Sequence, residues 1–338
     1  MHLVLPVFST FLLGLILTFV ARFLANKIGA VALPKKDRWH KKPTALLGGV
    51  SILLSFLIGY FIFGPKSRTV YLILTSSTFL FFVGLIDDFR KIKPHTKLIA
   101  QLIASGFIVY FGLKLPWTSS GALNSLITII WLVGITNAIN LLDNMDGLAT
   151  GISLIACFFL SVTFLLNGQD SEALLPMLLG GSLLGFLIFN FYPATIFMGD
   201  CGSMFLGFML SGVALLSDYG RSRNLGAILL TPVLILLIPI FDTSMVTITR
   251  KLSGRHIRQG GRDHVSHRLV ALGLSERRSV FVLYSFAAFS GILALMVRLL
   301  HAEELLLLIP ALALIILFIG FSLAQIRVDV HEDKSKSQ

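Results

Sequence analysis

Charge is what this chain has least of. Asp, Glu, Lys and Arg make up 13% of its 338 residues, against 55% apolar residues and a mean hydropathy of +0.86. That composition excludes the pair of soluble domains the length would otherwise suggest, because nearly the whole chain must find lipid or a buried environment. Cysteine is almost lacking: Cys157 falls within an apolar run and Cys201 follows Asp200, so no disulfide framework exists. Strict alternation over ten-residue stretches is missing too, which excludes a membrane barrel. Acids are scarce, 17 against 28 Lys and Arg, for a net charge of +11. The bases are confined to short segments between apolar runs, a membrane-face bias that sets nucleic acid aside as a partner.

What is there is a series of apolar runs, each near the roughly 20 residues a membrane helix needs. Eleven are drawn, at about 3–26, 44–63, 70–86, 98–113, 123–141, 148–167, 173–191, 203–217, 225–249, 279–299 and 304–325. The first has no basic leader or small-residue cleavage site and is expected to be retained. The expected fold class is an all-α integral membrane protein of about eleven transmembrane helices. Twenty-one of the 28 bases fall in loops on one side and six on the other, which predicts an outside N-terminus and a cytoplasmic C-terminus. Residues 1–325 read as a single polytopic catalytic domain, with the cytoplasmic loop 250–278 completing the site and 326–338 a short polar tail.

The few acids gather on the basic side. Asp87 and Asp88 end the third run in Gly84-Leu-Ile-Asp-Asp-Phe-Arg-Lys. Adjacent carboxylates in a reduced dielectric need a cation, and at a helix C-terminus they oppose the helix dipole, so a solvated helix end explains them poorly. The fifth run ends in Asn137-Ala-Ile-Asn-Leu-Leu-Asp-Asn-Met-Asp-Gly147, five Asn or Asp in ten residues. Helix–helix bonding accounts for one Asn; the rest offer oxygen ligands or base recognition. In Asn190-Phe-Tyr-Pro-Ala-Thr-Ile-Phe-Met-Gly-Asp-Cys-Gly-Ser203, glycines flank Asp200 and Phe197 supplies a ring nearby. A helix cap would need only the Asp or the Ser. The long loop holds Gly260-Gly-Arg-Asp-His-Val-Ser-His-Arg-Leu269, a basic surface loop unless its His and Arg meet a ligand. Within residues 260–269 zinc finds no Cys or further His, and hard oxygen donors elsewhere favour magnesium. Lys35 to Gly49 adds a basic cluster around Trp39 before a Gly-Gly pair.

Together these segments resemble the polyprenyl-phosphate N-acetylhexosamine-1-phosphate transferase family, in its WecA/TagO-like branch, related to MraY. The resemblance runs from about Lys35 to Leu269 and rests on the Asp-Asp-Phe pair, the NxxNxxDxxDG run and the FNFYPAxxFMGDxGS segment in order. It implies transfer of N-acetylglucosamine-1-phosphate, or a related HexNAc-1-phosphate, from a UDP-sugar to undecaprenyl or another polyprenyl phosphate, with release of UMP. Magnesium, or manganese in its place, is implied on Asp200, with Asn140 as second ligand or neighbour. Asp87 and Asp88 would position or deprotonate the acceptor phosphate, Lys97 and Lys42 would contact phosphates, and Asp143 would lie near the diphosphate. Asn190, Phe197 and Asp146 would hold the uridine; Arg262, His264, His267 and Arg268 would meet the sugar. The expected setting is a bacterial plasma membrane, with the lipid itself and optionally a second copy of the chain as partners.

MraY-type enzymes carry adjacent histidines in this loop, whereas here it reads Asp-His-Val-Ser-His-Arg, which leans away from a muramyl-pentapeptide donor. A phospho-MurNAc-pentapeptide transferase stays the alternative. A transporter would place acids near midplane on broken helices with an internal repeat, and no repeat is found. A lipid-binding scaffold would tolerate loss of Asp200.

Overall fold

The computed structural model describes residues 3–33, 43–217, 225–256 and 261–326. Among these, thirteen helices and one two-stranded ribbon form the molecule. In lipid each backbone N–H and C=O must be satisfied within the chain, so continuously apolar runs close into helices. The helices are α1 Val4–Ile28, α2 Gly48–Phe63, α3 Arg68–Arg90, α4 Pro94–Tyr110, α5 Gly121–Leu142, α6 Leu148–Leu166, α7 Asp170–Asn190, α8 Gly199–Ala214, α9 Leu225–Ile235, α10 Leu237–Leu252, α11 Val265–Ala271, α12 Glu276–Val297 and α13 Ala302–Ala324. Local chemistry sets several ends. The hydroxyls of Ser67, Ser120 and Ser275 accept first-turn N–H groups of α3, α5 and α12, and Pro94 opens α4.

Each of the eleven apolar runs is helical, but they are not equal. Seven helices are long and apolar enough to cross a membrane: α1, α3, α5, α6, α7, α12 and α13. The run 225–249, read as one crossing, is broken at Leu236 into α9 and α10, which meet at 78°. Pro232 and Pro239 flank the break; neither has an N–H for the helical ladder. Counting that pair as one bent span gives eight.

The centre of the bundle is α8, buried from Cys201 to Ala214 and packed by α2, α3 and α5. Bare backbones make this possible: a Cβ on Gly84 of α3 would lie 2.4 Å from the Asp200 carbonyl oxygen, and one on Gly49 of α2 would lie 2.4 Å from the Gly202 nitrogen. With no hydrophobic drive between helices in lipid, such close van der Waals approach supplies the association. Asn137 serves that purpose as well: its Nδ2 donates to Gln101 Oε1 of α4 at 2.7 Å, binding α5 to α4.

The ribbon pairs β1 (Val31–Ala32) with β2 (Thr44–Ala45) antiparallel, and Ala45 bridges in parallel to Ile196. Phe197 N–H donates to the Ala45 carbonyl, and the Phe197 and Met198 carbonyls accept from Gly48 and Gly49. The chain between α7 and α8 is thereby laid across the start of α2, at the end of the bundle where the acids gather.

Candidate active site

A cavity of about 580 Å³ opens at that end. Its wall comes from the last turns of α3, α5 and α7, the first turn of α8, the α5–α6 turn, the ribbon, and the approach to α11. Ten sequence-predicted residues line it, namely Asp87, Asp88, Asn140, Asp143, Asp146, Asn190, Phe197, Asp200, His264 and His267, and Lys97 of α4 bonds to two of them. Residues up to 180 positions apart in sequence are thus brought to one place by the alternating direction of successive helices.

The two acids of the pair do different things. Asp87 Oδ1 accepts the Ile92 N–H at 2.6 Å, and its Oδ2 accepts Lys97 Nζ at 2.7 Å. Asp88 turns the other way, and its two oxygens accept the N–H groups of Asp200 (2.8 Å) and Cys201 (3.0 Å). These are first-turn donors of α8, so the carboxylate holds the positive end of that helix. Gly199 explains itself here: its φ is +74°, and a Cβ would come within 2.7 Å of Asp88 Oδ2. Asp200 Oδ2 accepts Lys97 Nζ at 2.8 Å, while Oδ1 accepts Asn140 Nδ2 at 2.8 Å. Asn140 Nδ2 also lies 2.8 Å from Ser203 Oγ.

On the far wall Asp146 Oδ2 accepts the Ala194 N–H at 2.8 Å. The buried amide of Asn190 donates to the Ile196 carbonyl and accepts from Thr150 Oγ1 at 2.7 Å. Both side chains therefore also brace the segment that presents Phe197. Gly147 starts α6 at φ +74°, and its carbonyl accepts the Tyr284 hydroxyl of α12.

The loop after α10 is built on a buried ion pair. Arg250 Nε and Nη2 grip Asp263 Oδ2 and Oδ1 at 2.8 and 2.7 Å, with both side chains 4% exposed, and Arg255 adds a contact at 3.3 Å. Burial pushes the Asp263 carboxyl up, but the hydrogen bonds and charge of Arg250, then His264 and Arg255, outweigh it and hold it below the ordinary carboxylate range. For His267, burial and then the adjacent His264 lower the imidazole from 6.5 to about 3, so the ring is neutral at pH 7.

Two expected site residues stand elsewhere. Arg268 does not reach the cavity; its Nη1 donates to the carbonyls of Leu323, Ala324 and Ile326, and its Nε to that of Asp263. It caps the C-terminus of α13, as a cation does where helix carbonyls lack partners. Arg262 adjoins Gly261, which lines the cavity, but is not itself in the wall. Lys42 lies outside the described residues. Asn144, part of the amide stripe read from the sequence, lines the cavity as well; sequence reading passed over Lys91 and Met145, which also line it, and Asp242, Arg250 and Asp263, which position its loop. Asp242 carried a usable signal, since an acid inside an apolar run is a functional candidate by default.

Five carboxylates around one cavity would repel an anionic ligand. Lys97 shows the remedy: a single ammonium lies within 2.8 Å of oxygens from both Asp87 and Asp200. Among the described residues no group of three or more His, Cys, Asp or Glu forms a closed metal cage. Magnesium does not need one, since it takes one or two carboxylates and fills its shell with water and phosphate oxygens. The Asp and Asn residues around the cavity are of the hard-oxygen type such an ion takes, and Asp200 and Asn140, 2.8 Å apart, would be the pair to hold it.

The described residues thus form a helical bundle of membrane-spanning character whose charged groups converge on one open cavity. Residues 70–218 match glycosyl transferase family 4. The chain is 37% identical over 294 residues to a probable undecaprenyl-phosphate N-acetylglucosaminyl 1-phosphate transferase of Bacillus subtilis, covering 84% of this chain and 82% of that one. It is 31% identical to a decaprenyl-phosphate N-acetylglucosaminephosphotransferase of Mycobacterium tuberculosis (78% and 74% covered). It is 32% identical to a phospho-N-acetylmuramoyl-pentapeptide-transferase of Clostridium perfringens (76% and 87% covered). The protein belongs to glycosyl transferase family 4.

Proposed function

We propose that the protein transfers N-acetylglucosamine-1-phosphate, or a related HexNAc-1-phosphate, from its UDP derivative to undecaprenyl or another polyprenyl phosphate, forming the polyprenyl-diphosphate sugar and UMP. The observation that carries this reading is the meeting of Asp87, Asn140, Asp143, Asp146 and Asp200 with Lys97 around one cavity at the end of an apolar bundle. A lipid-borne phosphate and a water-borne nucleotide can meet only at such a boundary.

In the reaction an oxygen of the lipid phosphate attacks the sugar-bearing phosphorus of the donor. The bond from that phosphorus to the bridging oxygen breaks, and UMP leaves with the electron pair. Two anions must approach, so the barrier is set by charge and alignment more than by activation of an already anionic nucleophile. Lys97 lies where it can neutralise phosphate oxygens, and Asp87 fixes its ammonium. Asp88 holds the first turn of α8 and with it Asp200. Magnesium, held by Asp200 with Asn140 beside it, would supply further neutralisation of the diphosphate. Asn190, Phe197 and Asp146 form the wall suited to a uridine, with the ring of Phe197 available for stacking. His264 and His267 face the sugar side, and Arg262, next to Gly261, lies within one residue of it.

We place eleven crossings in a bacterial plasma membrane, with the N-terminus outside and the cavity and C-terminus cytoplasmic. The basic-residue bias supports this, as do the C-terminal ends of α3, α5 and α7 gathered on the cavity side. In this arrangement residues 1–325 act as one catalytic unit, and α2, α4 and α8 cross within the shelter of the longer helices. A homodimer is compatible with the exposed apolar face of α13. The test is transfer from UDP-GlcNAc and from UDP-MurNAc-pentapeptide, side by side, to undecaprenyl phosphate with and without magnesium. UMP release and lipid labelling from UDP-GlcNAc support the proposal. Preference for the pentapeptide donor moves the protein to the muramyl branch, and no lipid product from either removes the transferase reading.

A further inference from the structure

Asp242 is a buried carboxylate, 1% exposed, near the start of α10 and within a run that reads as apolar. A carboxylate taken out of water is costly unless it is paired and hydrogen-bonded. Both its oxygens are paired, and with the same short segment: Oδ1 accepts the Val265 N–H at 2.7 Å, and Oδ2 lies 2.7 Å from His264 Nδ1. The first bond satisfies a backbone donor where α11 begins. The second does something else. A carboxylate can only accept, so Nδ1 carries the ring proton and Nε2 is the nitrogen left for a ligand. His264 lines the cavity, its ring centroid 5.5 Å from that of His267, which lines it as well.

We propose that Asp242 is a positioning residue: it holds His264 through the Nδ1–H bond and so dedicates Nε2 to hydrogen bonding with a hydroxyl or amide group of the donor sugar. This rests on the transferase reading and adds a specificity element to it. The segment is docked independently of Asp242 by the Arg250–Asp263 pair and by Ser266 Oγ, which donates to Asn144 Oδ1 at 2.7 Å. Removing the Asp242 charge therefore alters the imidazole before it undocks the loop. In Asp242→Asn the one amide oxygen can still accept from Val265, but the NH₂ group then faces Nδ1. The Nδ1–H bond to a carboxylate is lost, and with it the contact that fixes the ring and aims Nε2 into the cavity.

The test is a double-mutant cycle on the full-length protein in lipid nanodiscs, with kcat and KM measured separately for UDP-GlcNAc and undecaprenyl phosphate. The variants are Asp242→Asn, His264→Asn and the double; the His264→Asn amide still donates to Asp242 but lacks Nε2. Asp242→Asn is expected to lower kcat/KM for the sugar donor about 10- to 100-fold, with the KM for lipid unchanged. The double variant is expected to be no worse than His264→Asn alone, because the two residues act through one atom. Losses that multiply overturn the proposal. So does a fully active Asp242→Asn, an equal effect on lipid KM, or a fully active His264→Asn, the last deciding the matter even if Asp242→Asn fails to fold. A wild-type protein without transferase activity removes the underlying reading instead.

Discussion

Replacing Asp88 with Asn separates a carboxylate that holds the site together from one that handles substrate. Its two oxygens accept the Asp200 and Cys201 N–H groups at 2.8 and 3.0 Å. The amide keeps one acceptor and sets an NH₂ against the other N–H. One charge-assisted bond is lost, worth about 1.5–3 kcal/mol, and with it the attraction of a carboxylate for a helix N-terminus, about 0.3–2 kcal/mol. Together these come to about 2–5 kcal/mol, all falling on the turn that carries Asp200. Gly199 leaves that turn no slack, since its backbone already passes Asp88 where a Cβ would not fit. A displacement of about 1 Å at a reacting centre costs about 100-fold in rate. Asp88→Asn is therefore expected to lose at least about 100-fold in UMP release and to lower the thermal unfolding midpoint in detergent. Unchanged activity refutes the reasoning. Lost activity with an unchanged midpoint refutes it too, by making Asp88 a group that acts on substrate directly.

Asp200→Asn makes the opposite pair of expectations. It keeps the shape and the Asn140 side of the network but removes the charge facing Lys97, so transfer should become undetectable while the unfolding midpoint stays within a few degrees. Arg268→Ala should leave the KM for the sugar donor unchanged and speed hydrogen exchange at the C-terminal turn of α13, whose carbonyls it caps; a large rise in donor KM would return it to the binding site. Acidification tests His267, whose folded-state value near 3 lies below its unfolded value near 6.5. Above pH 6.5 both states are neutral and nothing is lost. Between 6.5 and 3 only the unfolded chain takes the proton, so stability falls as pH falls, by about 2 kcal/mol between pH 7 and 5 from this group. Thermal midpoints across that range check the slope, and His267→Gln should flatten it.

The helices and the residues of the cavity wall were legible in the chain's composition and spacing. Continuous apolar runs admit only helices in lipid, so each predicted run is helical, and the scarcity of charge made each Asp at a run's end visible. Asp87, Asn140, Asp146, Asn190 and Asp200 were legible because acids and amides in such places have no cheap structural explanation. What residue types do not carry is direction. Asp87 and Asp88 are neighbours, yet one faces Lys97 and the other the start of α8, because successive side chains on a helix point about 100° apart and only packing decides which face is which. Arg268 looked like its neighbours in a basic loop, and only the arrival of α13 beside α11 made it a helix cap. The prolines in 225–249 gave no angle; the 78° turn needed α10 to be set against α5 and α12. Asp242 was visible as an acid inside an apolar run, but its partner was not, since that is a histidine 22 residues away that the folded loop brings to its side. Local polymer physics fixes what each segment becomes, while the mutual orientation of segments, and so the partner of each charge, exists only once the bundle has closed.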